Sequence, residues 1–433
     1  MNWKINPANE IKGTIAVPPD KSISHRAVMF GAISKGSLKV GNFLTGEDCM
    51  STLSAFKAMG VPIEVNGDIL RIKGVGLKGL KAPEGRLYLG NSGTSMRIIA
   101  GILAGQEIEV ILTGDESLSG RPMKRVIEPL AKMGARIDFL EKEGFAPFII
   151  KGAKAPLKPI AYSMPIASAQ VKSSVLAAGL YADGVTSVTE PFISRDHTER
   201  ILELFGADIR KDKLTVSVNG LKELEPKDIV VPGDISSAAF FLVGALLAEK
   251  SDLLLKGVGL NPTRTGILDV LLRMGADVRI SDIKKGPEPY GDIRVKNSHL
   301  KGTVVAPSEI PLLIDEIPVL MVAAAMASGE TVIRGISELK VKETDRIKSM
   351  GENLLKAGIE IISSGDDVVI PGGRRRFEPS RFISYGDHRT AMSMAIASLF
   401  SSGESIIDSV DCVATSYPGF LEDLTRVVKL AGK

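Results

Sequence analysis

Cations with hydroxyl neighbours gather where helices should begin. Asp20-Lys21-Ser22-Ile23-Ser24-His25-Arg26 follows the strand-like run 13–17 and Pro18-Pro19, and the apolar stretch 27–32 behind it reads as a helix body. A Lys, two hydroxyls and an Arg thus stand at a helix N-terminus, where unpaired N–H groups and the macrodipole already favour an anion. Arg26 lies four residues after Ser22 and shares its face. One such segment would be an ordinary N-cap with solvated charges. The chain, however, repeats it: Lys21, Arg26, Arg97, Arg121, Arg195, Lys342, Arg346 and Arg389 all fall in helix-opening segments. Such a set repels itself unless an anion answers it, and each exposed helix N-terminus adds about 0.3–1 kcal/mol of preference for negative charge. A substrate pair carrying several negative charges is the simplest resolution.

Two acids break the cation pattern. Asp315 opens Asp315-Glu316-Ile317-Pro318, and Glu343 sits between Lys342 and Arg346. Either is useful as a cap, worth about 1 kcal/mol. Beside so many cations their better use is proton transfer, one as base and one as acid.

These residues are positioned by a sixfold repeat. An amphipathic helix ending in Gly recurs at Phe56–Gly60, Leu130–Gly134, Leu202–Gly206, Leu271–Gly275, Leu354–Gly358 and Val428–Gly432, and each Gly suits the left-handed residue that stops a helix. Every unit also holds an earlier helix, opened by Lys21-Ser22, Asn91-Ser92, Ser168-Ala169-Gln170, Asp234-Ile235, Asp315-Glu316 or Gly386-Asp387. Bodies such as Val322–Ala327 and Ala391–Ser398 are apolar nearly all round, the pattern of buried helices. With short β-branched runs between them, each unit reads as β-α-β-α-β over about 70 residues. The expected class is α/β, with two similar domains of three repeats: residues 1–18 plus 234–433, and residues 19–233. Residues before Pro18 come too early for the first unit and should pair in the other domain. Two crossings, near Pro18-Pro19 and Val231–Asp234, then act as a hinge around a ligand cleft.

Composition narrows the partners. The chain has 433 residues, 44% hydrophobic and 24% charged, with a net charge of +3 and only 5% aromatics, so the basic, aromatic-laced stripe of a nucleic-acid binder is missing. Cys49 and Cys412 lie far apart without metal spacing and read as reduced thiols. The four histidines show no metal-binding spacing, and His25 and His197 read as hydrogen bonders at helix starts. Gly74-Val75-Gly76-Leu77-Lys78-Gly79 matches a dinucleotide fingerprint in letters, but Pro83 and Gly85 deny it the helix it needs. No uninterrupted apolar run reaches about 18 residues, and Met1–Ile5 runs into a strand-like pattern with no signal-peptide core. A cytoplasmic monomer that binds neither membrane nor nucleic acid is expected.

Four segments together resemble the EPSP synthases, the 3-phosphoshikimate 1-carboxyvinyltransferases of aromatic amino-acid biosynthesis. They are Pro19–Arg26, Gly90–Arg97, Asp315–Pro318 and Lys342–Arg346. The resemblance covers the whole chain and implies two domains of three β-α-β-α-β-β repeats with buried helices, an inside-out α/β barrel, joined by two hinge strands. It implies enolpyruvyl transfer from phosphoenolpyruvate to the 5-hydroxyl of shikimate 3-phosphate, without metal or other cofactor. Asp315, Glu343 and Lys21 would handle protons. Lys21, Ser22, Arg26, Ser168, Ala169, Gln170, Arg195, Asp315 and Lys342 would hold shikimate 3-phosphate; Lys21, Gly93, Arg121, Gln170, Arg346 and Arg389 would hold phosphoenolpyruvate. Two such substrates carry roughly −5 to −6 of charge, which suits the cation set. Thr415 stands where one branch of the family has a phosphoenolpyruvate-binding Lys, while Ser168-Ala169-Gln170 resembles the second branch. Two rival readings exist: the sister transferase acting on UDP-N-acetylglucosamine, which has Lys-Asn where this chain has Lys21-Ser22, and a non-catalytic polyanion binder.

Overall fold

Residues 1–430 are described in a computed structural model. They form two compact units, one of residues 1–18 with 232–430 and one of Pro19–Val231. No described helix is long and apolar enough to cross a membrane.

In the unit Pro19–Val231, three helices have almost no exposed face: Lys21–Ala32, Gly93–Ala104 and Ala169–Gly179. Each is started by a side-chain cap. Asp20 Oδ1 accepts from Ile23 N at 2.9 Å, Ser92 Oγ from Ser95 N at 3.2 Å and Ser168 Oγ from Val171 N at 3.4 Å. Such caps are worth about 1 kcal/mol each and fix where the helix begins. The helices pack into one core with the flanking helices Glu47–Ala58, Lys124–Lys132 and His197–Leu204. The other unit follows the same plan, with buried helices Ile235–Leu247, Ile317–Met326 and His388–Ser398.

Each repeat adds a small mixed sheet in which a leading strand pairs in parallel across the buried helix and a hairpin follows antiparallel. In the second repeat, Leu87–Tyr88 lies parallel to Val110–Thr113, which pairs antiparallel with Phe148–Lys151. The right-handed crossover of a βαβ link puts the helix on one face of each sheet. The first repeat has no leading strand of its own, because the preceding residues Ala8–Ala16 pair in parallel with Lys250–Gly259 as the leader of the fourth repeat. The vacant position is filled by Ile229–Val230, parallel to Lys35–Gly41.

Flanking helices stop at Gly60, Gly134, Gly206, Gly275 and Gly358, with φ from +81° to +97°. The sixth repeat departs from expectation. Helix Phe420–Val427 ends earlier, and Val428–Leu430 is a strand antiparallel to Ala8–Ala16, not a helix end. Ala431-Gly432, the expected stop, lies outside the described residues. This repeat also lacks its own hairpin: Asn2–Ile5 takes that place against Ser405–Asp408, giving three strands instead of four. At the supposed dinucleotide fingerprint, strand Ile69–Val75 runs into a turn at Gly76 (φ +81°) with no helix behind it.

Candidate active site

In the unit Pro19–Val231 the helix openings are tied to one another. Lys21, the first residue of its helix, places Nζ 3.0 Å from Asp48 Oδ2 on the neighbouring helix Glu47–Ala58. Arg26, one turn on, donates from Nε to Thr198 Oγ1 at 2.7 Å and from Nη2 to Ser173 Oγ at 2.9 Å. Arg97 donates to Gln170 Oε1 at 2.7 Å, and Gln170 Nε2 donates to Thr94 Oγ1 at 3.0 Å. Arg121 is not on a helix; it follows the single turn Glu116–Ser119 and donates to Asn91 Oδ1 at 2.5 Å and Ser117 Oγ at 3.2 Å. The opening Asn91–Thr94 is therefore bracketed by two guanidiniums. Gly93 lies between them: a Cβ there would stand 2.6 Å from Arg97 Nη1 and 3.2 Å from Arg121 Nη1.

Ser22, Ser168, Ala169, Gln170 and Arg195 are all half-buried, Ser22 in the first turn of its helix and Arg195 just before helix His197–Leu204. His25 is fully buried, with Nδ1 2.7 Å from Thr52 Oγ1. Burial, then the charges of Lys21 and Arg26, hold its pKa well below the ordinary histidine value. It is a hydrogen bonder near its helix start, as expected, and joins two helices inside the fold.

The other unit gathers acids and cations together. Arg346 opens helix Arg346–Lys356 and is almost wholly buried. Its Nε donates to Asp387 Oδ2 at 2.8 Å, Nη1 to Asp315 Oδ1 at 2.9 Å and Nη2 to Glu343 Oε2 at 2.5 Å. Burial alone would make the guanidinium easier to deprotonate, but the three carboxylates outweigh it and raise its pKa. Arg389 Nη1 donates to the Asp315 carbonyl at 3.1 Å, and its Nη2 lies 3.5 Å from Asp315 Oδ2. Lys342, at the end of a short 3₁₀ turn, is half-buried beside Glu343 in sequence.

The alternative of a capping role falls away for both acids: helix Ile317–Met326 starts at Glu316 without a side-chain cap, and Asp345, not Glu343, caps the helix opened by Arg346. The cations of this unit do not lack internal partners, since Arg346 and Arg389 are met by Asp315, Glu343 and Asp387. The sequence reading missed Asp387, which looks like a helix cap, and Asp48, which looks like a first-turn acid. It also missed the buried group Arg264, Asp234, Ser236 and Glu316. There Arg264 Nη2 donates to Asp234 Oδ1 at 3.0 Å and to Ser236 Oγ at 2.7 Å, and Ser236 Oγ donates to Glu316. Thr415 Oγ1 donates back to the Cys412 carbonyl at 2.7 Å.

A family model described as EPSP synthase (3-phosphoshikimate 1-carboxyvinyltransferase) matches residues 5–424. The chain belongs to the EPSP synthase family. A 3-phosphoshikimate 1-carboxyvinyltransferase of Geobacter sp. (strain M21) is 51% identical over 429 residues, covering 99% of each chain. One from Desulforamulus reducens is 51% identical over 431 residues, covering 99% of this chain and all of the relative. A solved EPSP synthase from Acinetobacter baumannii superposes with a TM-score of 0.88 at 47% identity, over 99% of this chain and 98% of that one. The two-domain α/β fold implied by the resemblance is thus the fold of its family.

Proposed function

We propose that this EPSP synthase family member transfers the enolpyruvyl group of phosphoenolpyruvate to the 5-hydroxyl of shikimate 3-phosphate and releases phosphate. The observation that carries the reading is the grouping of Asp315 and Glu343 on the single guanidinium of Arg346. Addition requires one group to take a proton from the 5-hydroxyl and another to give one to C3. Two carboxylates held on one guanidinium offer two separate proton-carrying groups for those tasks.

In this reading Asp315 accepts the 5-hydroxyl proton as its oxygen bonds to C2 of phosphoenolpyruvate. Glu343, with Lys21, supplies the proton to C3. The tetrahedral adduct then returns the C3 proton and expels phosphate from C2. Arg346 has five N–H donors, of which its carboxylates use three, so two are left for phosphoenolpyruvate. Arg389, Arg121, Gln170, Gly93 and Lys21 share that substrate. Lys21, Ser22, Arg26, Ser168, Ala169, Gln170, Arg195, Asp315 and Lys342 hold shikimate 3-phosphate. Charges fixed by the fold need no reorganisation when the adduct forms, which is where electrostatic catalysis gains most.

A monomer is the simplest form for this reading, and the free thiols Cys49 and Cys412 suit a cytoplasmic setting. The test is phosphate release from the two substrates without added metal, comparing wild type with Asp315→Ala. Release should need both substrates and fall by at least a hundredfold in the variant. Folded wild-type protein that releases no phosphate would overturn the assignment.

A further inference from the structure

Lys172 has no substrate to hold in the reading above, yet it is among the most completely buried side chains in the molecule. It lies on helix Ala169–Gly179, two residues after Gln170. Its Nζ lies 2.7 Å from Glu190 Oε2, 2.7 Å from Glu199 Oε1 and 3.3 Å from the Ser194 carbonyl oxygen. The side chains of the three charged residues are 2%, 4% and 0% exposed. Ser194 Oγ in turn donates to Glu190 Oε1, closing the group.

The three oxygens belong to the beginning, middle and end of one stretch of chain. Glu190 follows strand Val185–Thr189, Ser194 is in the irregular segment, and Glu199 is on helix His197–Leu204. Arg195 is the residue after Ser194. A parallel link runs from the next residue of the helix: Ser173 Oγ accepts from Arg26 Nη2 at 2.9 Å and from Thr198 Oγ1 at 2.7 Å. The two links tie the opening Ser168-Ala169-Gln170 to the stretch that carries Arg195.

Stability is a poor explanation for this arrangement. Taking an ammonium and two carboxylates out of water costs several kcal/mol per ion, and packed apolar side chains in their place are often neutral or better. What an ionic clamp supplies and an apolar cluster does not is direction. Burial would favour a neutral amine, but Glu199 and Glu190 outweigh it, so Lys172 stays charged, hydrogen-bonded to Glu190 and the Ser194 carbonyl and ion-paired with Glu199.

We propose that Lys172 is a positioning residue for Arg195. Through Glu190, Glu199 and the Ser194 carbonyl it fixes the segment 190–199 against the opening of helix Ala169–Gly179. Arg195 then meets the phosphorylated substrate already in place, which lowers the ordering cost of binding. The proposal rests on the assignment of these residues to shikimate 3-phosphate.

The test is calorimetric titration of shikimate 3-phosphate alone, with steady-state kinetics, on Lys172→Met, Lys172→Met/Glu199→Gln, Arg195→Ala and Lys172→Met/Arg195→Ala. Each variant is first checked for a cooperative unfolding transition. The dissociation constant should rise 10- to 100-fold in either Lys172 variant, while KM for phosphoenolpyruvate changes less than threefold. On top of Arg195→Ala, the Lys172 change should add less than threefold, because its effect runs through the guanidinium. Full additivity, or unchanged affinity in a folded Lys172 variant, overturns the proposal. So does an Arg195→Ala variant that binds as wild type. If the Lys172 variants do not fold, Ser194→Ala, which removes only the hydroxyl on Glu190, should give a three- to tenfold loss, and unchanged affinity there overturns it. Wild type that releases phosphate while the losses add in full sinks the coupling alone; wild type that neither binds nor releases phosphate sinks the functional assignment as well.

Discussion

Asp315 Oδ1 lies 2.9 Å from Nη1 of Arg346, and the two stand 31 residues apart at the openings of the buried and flanking helices of the fifth repeat. The ion pair orients the carboxylate, and Arg389 Nη2 lies 3.5 Å from its other oxygen. Asp315→Asn keeps the shape and removes the proton acceptor. Its kcat should fall by about 10²–10⁴-fold. Arg346 keeps Glu343 and Asp387 in that variant, so stability should drop by only about 1 kcal/mol, read from the urea midpoint. An Asp315→Asn enzyme with more than a tenth of wild-type kcat would remove Asp315 from the proton transfer.

Arg346 itself should behave in the opposite way, with stability suffering most. Its fork serves three carboxylates, of which Asp387 is fully buried. Arg346→Lys supplies one compact charge where a planar fork is needed, and at least one buried carboxylate loses its partner. A loss of about 3–5 kcal/mol in unfolding free energy is expected, as when one partner of a buried ion pair is removed. Equal urea midpoints for wild type and Arg346→Lys would show that the fork geometry is dispensable.

His25 predicts a pH dependence of stability. Its pKa is depressed in the fold, mainly by burial and then by Lys21 and Arg26, with Asp20 opposing, and its Nε2 is buried without a hydrogen-bond partner. Below the ordinary value of 6.5 the unfolded chain takes up a proton that the folded chain does not. The contribution of neutral His25 is therefore fully present above about pH 6.5 and is lost as the pH falls below it, at up to about 1.4 kcal/mol per pH unit. Comparing unfolding free energies at pH 7.5 and 5, wild type should lose more than His25→Asn by up to about 2 kcal/mol. Equal losses would mean that His25 does not titrate differently in the two states.

How far the sequence could be read depends on the range of the interactions concerned. The stops at Gly60, Gly134, Gly206, Gly275 and Gly358 were legible because a left-handed residue is a local requirement, met at all five with φ near +90°. The buried helices were legible because their apolar residues cover every face. Asp387 as a partner of Arg346 was not: it sits 41 residues away and also accepts from Arg389 N and Thr390 N, so from its neighbours alone it is simply a cap. The same holds for Lys172, whose partners lie 18 and 27 residues off. In the sixth repeat the signal misled. Val428-Lys429-Leu430 continues the amphipathic pattern of its helix, but the edge of the strand Ala8–Ala16 offers those residues a ladder, and tertiary pairing overrides local pattern.

Gly93 gives the last prediction, because the space around it is set by two guanidiniums and not by backbone strain. Its φ is not in the left-handed region, so Gly93→Ala costs nothing there. The added methyl would approach Arg97 Nη1 to 2.6 Å, closer than such contacts allow, and Arg121 Nη1 to 3.2 Å. Both neighbours are ends of flexible side chains, so the fold should survive, with a helix-propensity gain of up to about 1 kcal/mol from replacing glycine. The guanidiniums must move, however, and Arg97 would lose its 2.7 Å bond to Gln170. Arg121 is assigned to phosphoenolpyruvate alone, and Gln170 to both substrates, so KM for phosphoenolpyruvate should rise the more, by about tenfold, one misplaced hydrogen bond to a charged group. Affinity for shikimate 3-phosphate should change less than threefold. The ratio of the two effects is the readout: a rise confined to shikimate 3-phosphate would reverse the assignment of the Gly93 opening, and equal rises in both would mean that the methyl disturbs the whole helix start.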